Sequence, residues 1–241
     1  MSGGVGPCSD ISLPTDEHFE QDKNQTKNSQ KKPQQNGKFV TFRQLNVLAI
    51  IIIFFSSGVV SLEDFAFVLF SLIYIYFISK IAFPPINSPE PPVFGENNKI
   101  LNLYVSIGAL IGLFLPIAYI FHGIYEGDKE GIKAAAPHVF LLASQVFMEG
   151  VTFTDRFSLP IRVFVPVFYN SRRIFTIMEW LRIEISKVNQ EYGGNMRRVY
   201  IGRGLAVANM VFWCFNLFGF LLPVYLPKAF KIYYSSRKLK D

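Results

Sequence analysis

The sequence predicts an all-α integral membrane bundle of about five transmembrane helices, joined by one interfacial amphipathic helix. Half of its 241 residues are apolar, its mean hydropathy is +0.27, and phenylalanine alone contributes 25 residues. A soluble domain can approach that share, but here the apolar residues gather in runs near the length a helix needs to cross a bilayer, about 20 residues. Between the runs stand helix-breaking or charged connectors such as "PPINSPEPPVFGENN" and "GIYEGDKEGIK".

Taken in order, residues 1–38 are rich in Ser, Gln, Asn, Lys and Gly and hold one aromatic, Phe19. Such a segment buries too little apolar surface to offset its ordering entropy, so a disordered polar tail is expected. The transmembrane domain is expected over 39–227. Its first span, 39–60, reaches crossing length only with Arg43 and Gln44 at the interface, where an arginine can snorkel. Ser61 with Asp64 three residues on has the spacing of a helix cap and opens the second span, 65–83, with Lys80 placed to snorkel. Pro84 and Pro85 end it, because proline cannot continue a helix.

The third span, 100–122, contains Pro116, where a kink is expected. Its Gly108 and Gly112 have the spacing that lets a second helix approach closely, a candidate packing face. The fourth span, 134–153, has Pro137 near its start, where a missing N–H costs little. Residues 157–170, with Pro160, Arg162 and Pro166, are short for a span and read as a re-entrant or interfacial piece. Residues 171–190 read as an amphipathic helix lying flat at the headgroups. Ile174, Ile177, Met178, Leu181 and Ile185 recur at helical spacing on one side, and Arg172, Arg173 and Arg182 are candidate headgroup contacts. The last span is 204–227, followed by a basic tail over 228–241.

Charge decides orientation. With five spans and the N-terminus inside, 16 Lys and Arg residues fall on the inner side and 7 on the outer. The positive-inside rule therefore places the N-terminus in the cytosol. If 157–170 crossed after all, the C-terminal tail would return to the inner side.

The net charge of +6 does not signal nucleic acid, because the basic residues flank apolar runs and fill the tails. The two cysteines, Cys8 in the polar tail and Cys214 in an apolar run, make neither a disulfide framework nor a metal cluster. No phosphate loop, nucleophile elbow or zinc-protease pattern is present, and no metal or cofactor is expected.

The fourth span carries a polar stripe. At 100° per residue, His138, Gln145 and Glu149 share a narrow arc, and His138 and Glu149 lie three turns apart, roughly 16 Å. Such residues seldom face lipid. Three readings stay open: interhelical hydrogen-bonding glue, a wet path for protons or a cation, and catalysis. The last suffers from geometry, since groups three turns apart cannot touch. Asp155 and Arg156 follow as a candidate ion pair at the membrane edge.

The stretches "SGGVGPCSDISLP", "FRQLNVLA", "SLEDFAFVLFSLIY", "PHVFLLASQVFMEGV" and "YNSRRIFTIMEWL" resemble a plant-specific family of multi-pass membrane proteins of unknown function. The resemblance covers nearly the whole chain apart from residues 23–38. It implies a plant source and several transmembrane helices, and it transfers no catalytic or binding residue.

The expected function is that of a non-enzymatic endomembrane scaffold or membrane-organising factor, in the endoplasmic reticulum or another endomembrane. The bilayer is its first partner, with membrane-protein partners or self-association besides. The alternative is a small channel or transporter built around the His/Gln/Glu stripe. A lipid-modifying enzyme ranks third.

Overall fold

In the computed structural model the described residues are 49, 50, 52, 58–86, 91, 93–94, 98–154, 156–187 and 196–238. Among them there is no strand, and five long helices carry the architecture. The tail 1–38, most of the expected first span and residues 188–195 lie outside this set.

Helix α1 is Leu62–Ile81. The Ser61 hydroxyl accepts from the Asp64 N–H at 3.3 Å and donates to the Asp64 carboxylate at 2.9 Å, so the expected cap is formed. Helix α2 runs over Lys99–Glu126, opened by the Asn98 side chain, which accepts from the N–H groups of Ile100 and Leu101. Just ahead of Pro116, at Leu110–Phe114, it widens into a π-helical turn. Gly127 ends it in the left-handed conformation (φ 73°), which glycine adopts without a Cβ penalty.

Helix α3, Lys129–Thr152, follows after only Gly127 and Asp128. The Asp128 carboxylate accepts from the Gly131 N–H at 2.9 Å, and this cap moves the helix start well ahead of Pro137. Pro137 is therefore inside the helix rather than near its start, a correction to the sequence reading.

Helix α4, Leu159–Ser186, brings the largest correction. The expected re-entrant piece and the expected flat amphipathic helix are one continuous helix of 28 residues. Pro160 sits in the first turn, where no intrahelical donor is needed, and Pro166 is accommodated inside. The helix is also central rather than peripheral, with Tyr169, Arg173, Ile177, Trp180 and Glu184 all fully buried. Its charges hid that role, because Arg172, Arg173 and Glu184 are each matched by a partner on another helix.

Helix α5 spans Met196–Lys238 and widens into π-helix over Phe215–Tyr225, around Pro223. The Tyr233 hydroxyl donates to the Pro84 carbonyl at 3.0 Å, bringing the end of α5 to the end of α1. At the opposite end, Lys187 after α4 and Arg198 early in α5 both meet Asp128 at the start of α3. So α3, α4 and α5 run alternately up and down, and α4 crosses the bundle from end to end.

Four helices are long and apolar enough to cross a membrane: α1, α2, α3 and α5. In α3 the most apolar window is 67% buried within the fold, against 22% in α1, so α3 is the inner helix and α1 an outer one. Small Ala134, Ala135, Ala136 and Ala143, all buried, let its neighbours approach α3 closely.

Candidate functional site

The polar stripe of α3 points into the bundle, and its members reach different partners. His138 is fully buried, and its Nε2 lies 2.9 Å from the Gly112 carbonyl oxygen on α2. A carbonyl only accepts, so Nε2 carries the proton. That carbonyl lacks its usual α-helical donor. Pro116 has no N–H to return to it, and the π-turn redirects the Leu115 N–H to Leu110. The neighbouring Ile111 carbonyl, which loses its donor by the same shift, accepts from Asn209 Nδ2 at 3.0 Å. Two backbone acceptors exposed by one irregular turn are thus satisfied by side chains from two other helices.

Two turns further on, Gln145 stands between opposite charges. Its Nε2 donates to the Glu149 carboxylate at 2.7 Å, and its Oε1 accepts from Arg173 of α4. Arg173 is fully buried, with its guanidinium 4.2 Å over the Trp213 ring of α5. The Trp213 indole N–H donates to Asn209, and Asn170 donates to the Trp213 carbonyl. The Arg173–Gln145–Glu149 chain offsets a buried cation with a carboxylate through one oriented amide. Glu149 itself borders a cavity of about 330 Å³ bounded by α2, α3, α4 and α5. The wall is mostly apolar, with Tyr104, Phe153, Phe212, Trp213 and Phe220 among its aromatic members.

The other sequence candidates take varied positions. A methyl added at Gly108 would lie 3.0 Å from Phe212, and one at Gly112 would lie 2.5 Å from Trp213, so both glycines sit against α5. Arg172 reaches Asp64 at 2.9 Å and Glu63 at 3.4 Å on α1. Arg182 pairs with Glu179 on the exposed face of α4. Arg173 is not a headgroup contact, because it is buried at the bundle centre. Arg156 is exposed in the turn after α3, and Asp155, its expected partner, lies outside the described residues.

A second polar cluster went unread in the sequence. Where α2 meets α3, the Asp128 carboxylate receives Arg198 at 2.7 Å and Lys187 at 3.2 Å. Lys187 also reaches Glu184 at 3.0 Å, and the Tyr119 hydroxyl donates to Glu184 at 2.7 Å. All five side chains are buried. Burial alone would raise the Asp128 pKa, but the Gly131 N–H, Arg198 and Lys187 outweigh it and hold the carboxyl down at about 2. Three glycines make room. A Cβ at Gly131 or Gly202 would lie 2.7 Å from the Tyr119 hydroxyl, and one at Gly123 would collide with Arg198. Glycines on three helices, beside charges at helix ends, were the available signal; partners up to 79 residues apart hid it.

Among the described residues no group of three or more His, Cys, Asp or Glu side chains is placed to hold a metal ion. The family model that matches is described as a domain of unknown function, DUF7733, and it covers residues 40–234. The chain belongs to that family. No curated protein and no solved structure matches it. The DUF7733 match takes in α1 to α4, α5 as far as residue 234, both polar clusters and the cavity, and leaves the polar tail outside.

Proposed function

We propose that this chain is a non-enzymatic, plant-type membrane protein of the endoplasmic reticulum or another endomembrane, acting as a scaffold or membrane-organising factor. Its helices carry apolar side chains outward as well as inward: Phe70, Ile73 and Phe77 on α1, Leu103 and Phe121 on α2, and Val211 and Phe218 on α5 are all exposed. Water penalises such a surface and lipid does not. With α4 as a crossing, Lys and Arg outside the crossings number 13 on the side of the two tails and 6 on the other. That excess supports a cytosolic side for both tails.

The observation that carries the non-transporting reading is the use made of the polar stripe. His138 holds a carbonyl of α2, and Gln145 ties α3 to α4 through Arg173, so the hydrogen bonds of these groups join helices. Arg173 also puts a positive charge beside the stripe, which repels a passing cation. The test is reconstitution of the purified protein into liposomes, with flux of protons, K⁺ and small solutes measured. No flux above protein-free vesicles is expected; flux lost in Glu149→Gln would replace this reading with a transporter. The transporter reading draws on one observation, the cavity that reaches Glu149.

A further inference from the structure

We propose that the cavity beside Glu149 is a binding site for a neutral lipid whose polar group is a hydroxyl, of the sterol or long-chain alcohol class. The inference rests on the bundle residing in lipid. At about 330 Å³ the cavity falls in the range of small-molecule sites, and like them it is mostly apolar with a few convergent polar groups. It extends along α3 from Phe153, at the end of the helix, inward to Leu142, three turns deeper. An elongated body can therefore enter from the membrane edge. On α2 the wall is made by Leu101, Tyr104, Val105, Ala109 and Leu113, which are apolar apart from the Tyr104 hydroxyl.

The polar groups select the head. Glu149 lines the cavity and uses Oε1 to accept from Gln145, so its carboxylate keeps further capacity to accept. The Asn216 carbonyl oxygen is taken by the Tyr104 hydroxyl at 2.7 Å. Arg162 directs its guanidinium to the Phe157 and Thr154 carbonyls at the edge of the cavity. A ligand reaching Glu149 must bring a donor. It need not bring a charge, because Arg173 already offsets Glu149 through Gln145. An ammonium group would add a second cation to Arg162 and Arg173 in a medium of low dielectric, where like charges repel strongly. A hydroxyl supplies the donor without that repulsion.

Trp213 lines the cavity, and the only other tryptophan, Trp180, is fully buried in the bundle. Bromine quenches indole fluorescence on close approach. The protein in phosphatidylcholine nanodiscs is therefore titrated with 5,6-dibromocholestanol, with its 3-methyl ether, and with a dibrominated long-chain amine. Saturable quenching by the sterol is expected, at a bilayer fraction about tenfold below that needed for the ether, as for one hydrogen bond to a charged acceptor.

Glu149→Gln keeps the acceptor for Gln145 but turns an amide N–H₂ to the cavity, so the preference for the alcohol should vanish. Ala109→Leu fills the cavity with Glu149 intact and should remove the saturable component; it decides the matter if Glu149→Gln does not fold. Equal quenching by sterol and ether, a preference that survives in Glu149→Gln, or tighter binding of the amine would overturn the proposal. Failure of the protein to enter nanodiscs at all would instead overturn the membrane reading beneath it.

Discussion

His138 Nε2 lies 2.9 Å from the carbonyl oxygen of Gly112, the acceptor that Pro116, four residues on, has no N–H to satisfy. An imidazole on the inner helix thus completes the backbone of its neighbour. The stripe residue with the most catalytic appearance is occupied by a structural task.

His138→Leu should therefore lower stability in nanodiscs by about 1–2 kcal/mol, the cost of an unmet buried acceptor. In a Pro116→Ala background the helix regains its own N–H, and the same substitution should cost much less. A thermal double-mutant cycle measures the difference; equal costs in both backgrounds would break the link between proline and histidine.

Gly202 and Gly204 lie two residues apart on α5 with opposite surroundings. A methyl at 202 would sit 2.7 Å from the Tyr119 hydroxyl and 2.8 Å from the Glu184 carboxylate, whereas one at 204 meets nothing within 4 Å. Gly202→Ala should destabilise by about 1–3 kcal/mol through overpacking. Gly204→Ala should be neutral or stabilise by up to about 1 kcal/mol through helix propensity. Unfolding midpoints of the two variants provide the check.

Asp128 sets a pH dependence. Its pKa is depressed to about 2 in the fold from an ordinary value of 3.8. The stabilisation it supplies is present in full above about pH 4 and is lost as pH falls through about 2, because protonation then costs the fold its ion pairs. Asp128→Asn should be less stable than wild type at neutral pH, and the gap should close between pH 4 and pH 2. A gap that stayed constant over that window would mean the carboxylate charge contributes nothing.

The buried Arg173 and the carboxylate of Glu149 should behave as a unit. Arg173→Met leaves Glu149 without its counter-charge and should cost about 3–5 kcal/mol, as removal of one member of a buried pair does. Combining it with Glu149→Gln should cost clearly less than the sum of the two single changes. Additive losses, measured by unfolding in nanodiscs, would show that the Gln145 bridge does not couple them.

What was legible in the chain follows from local physics. Ser61 three residues before Asp64 specified a cap, and the prolines after Phe83 specified a stop, because both act through the nearest backbone groups. Long apolar runs marked the four helices that are long and apolar enough to cross a membrane for the same reason: length and hydropathy are properties of a segment alone. The inward face of His138, Gln145 and Glu149 was readable too, since helical periodicity puts them on one side and lipid rejects them.

The role of α4 was not readable that way. Arg162, Arg172, Arg173 and Glu184 made its segment look too polar and too broken by Pro160 and Pro166 for a central helix. Asp64, Gln145 and Tyr119, on other helices, are the partners of Arg172, Arg173 and Glu184, Lys187 is a second partner of Glu184, and Arg162 turns to the Phe157 and Thr154 carbonyls. Sequence by itself determined which segments are helical and apolar, because those properties are summed over neighbours in the chain. Only the tertiary structure decided which charges are buried, because a buried ion is tolerable only beside its partner, and its partner is chosen by packing.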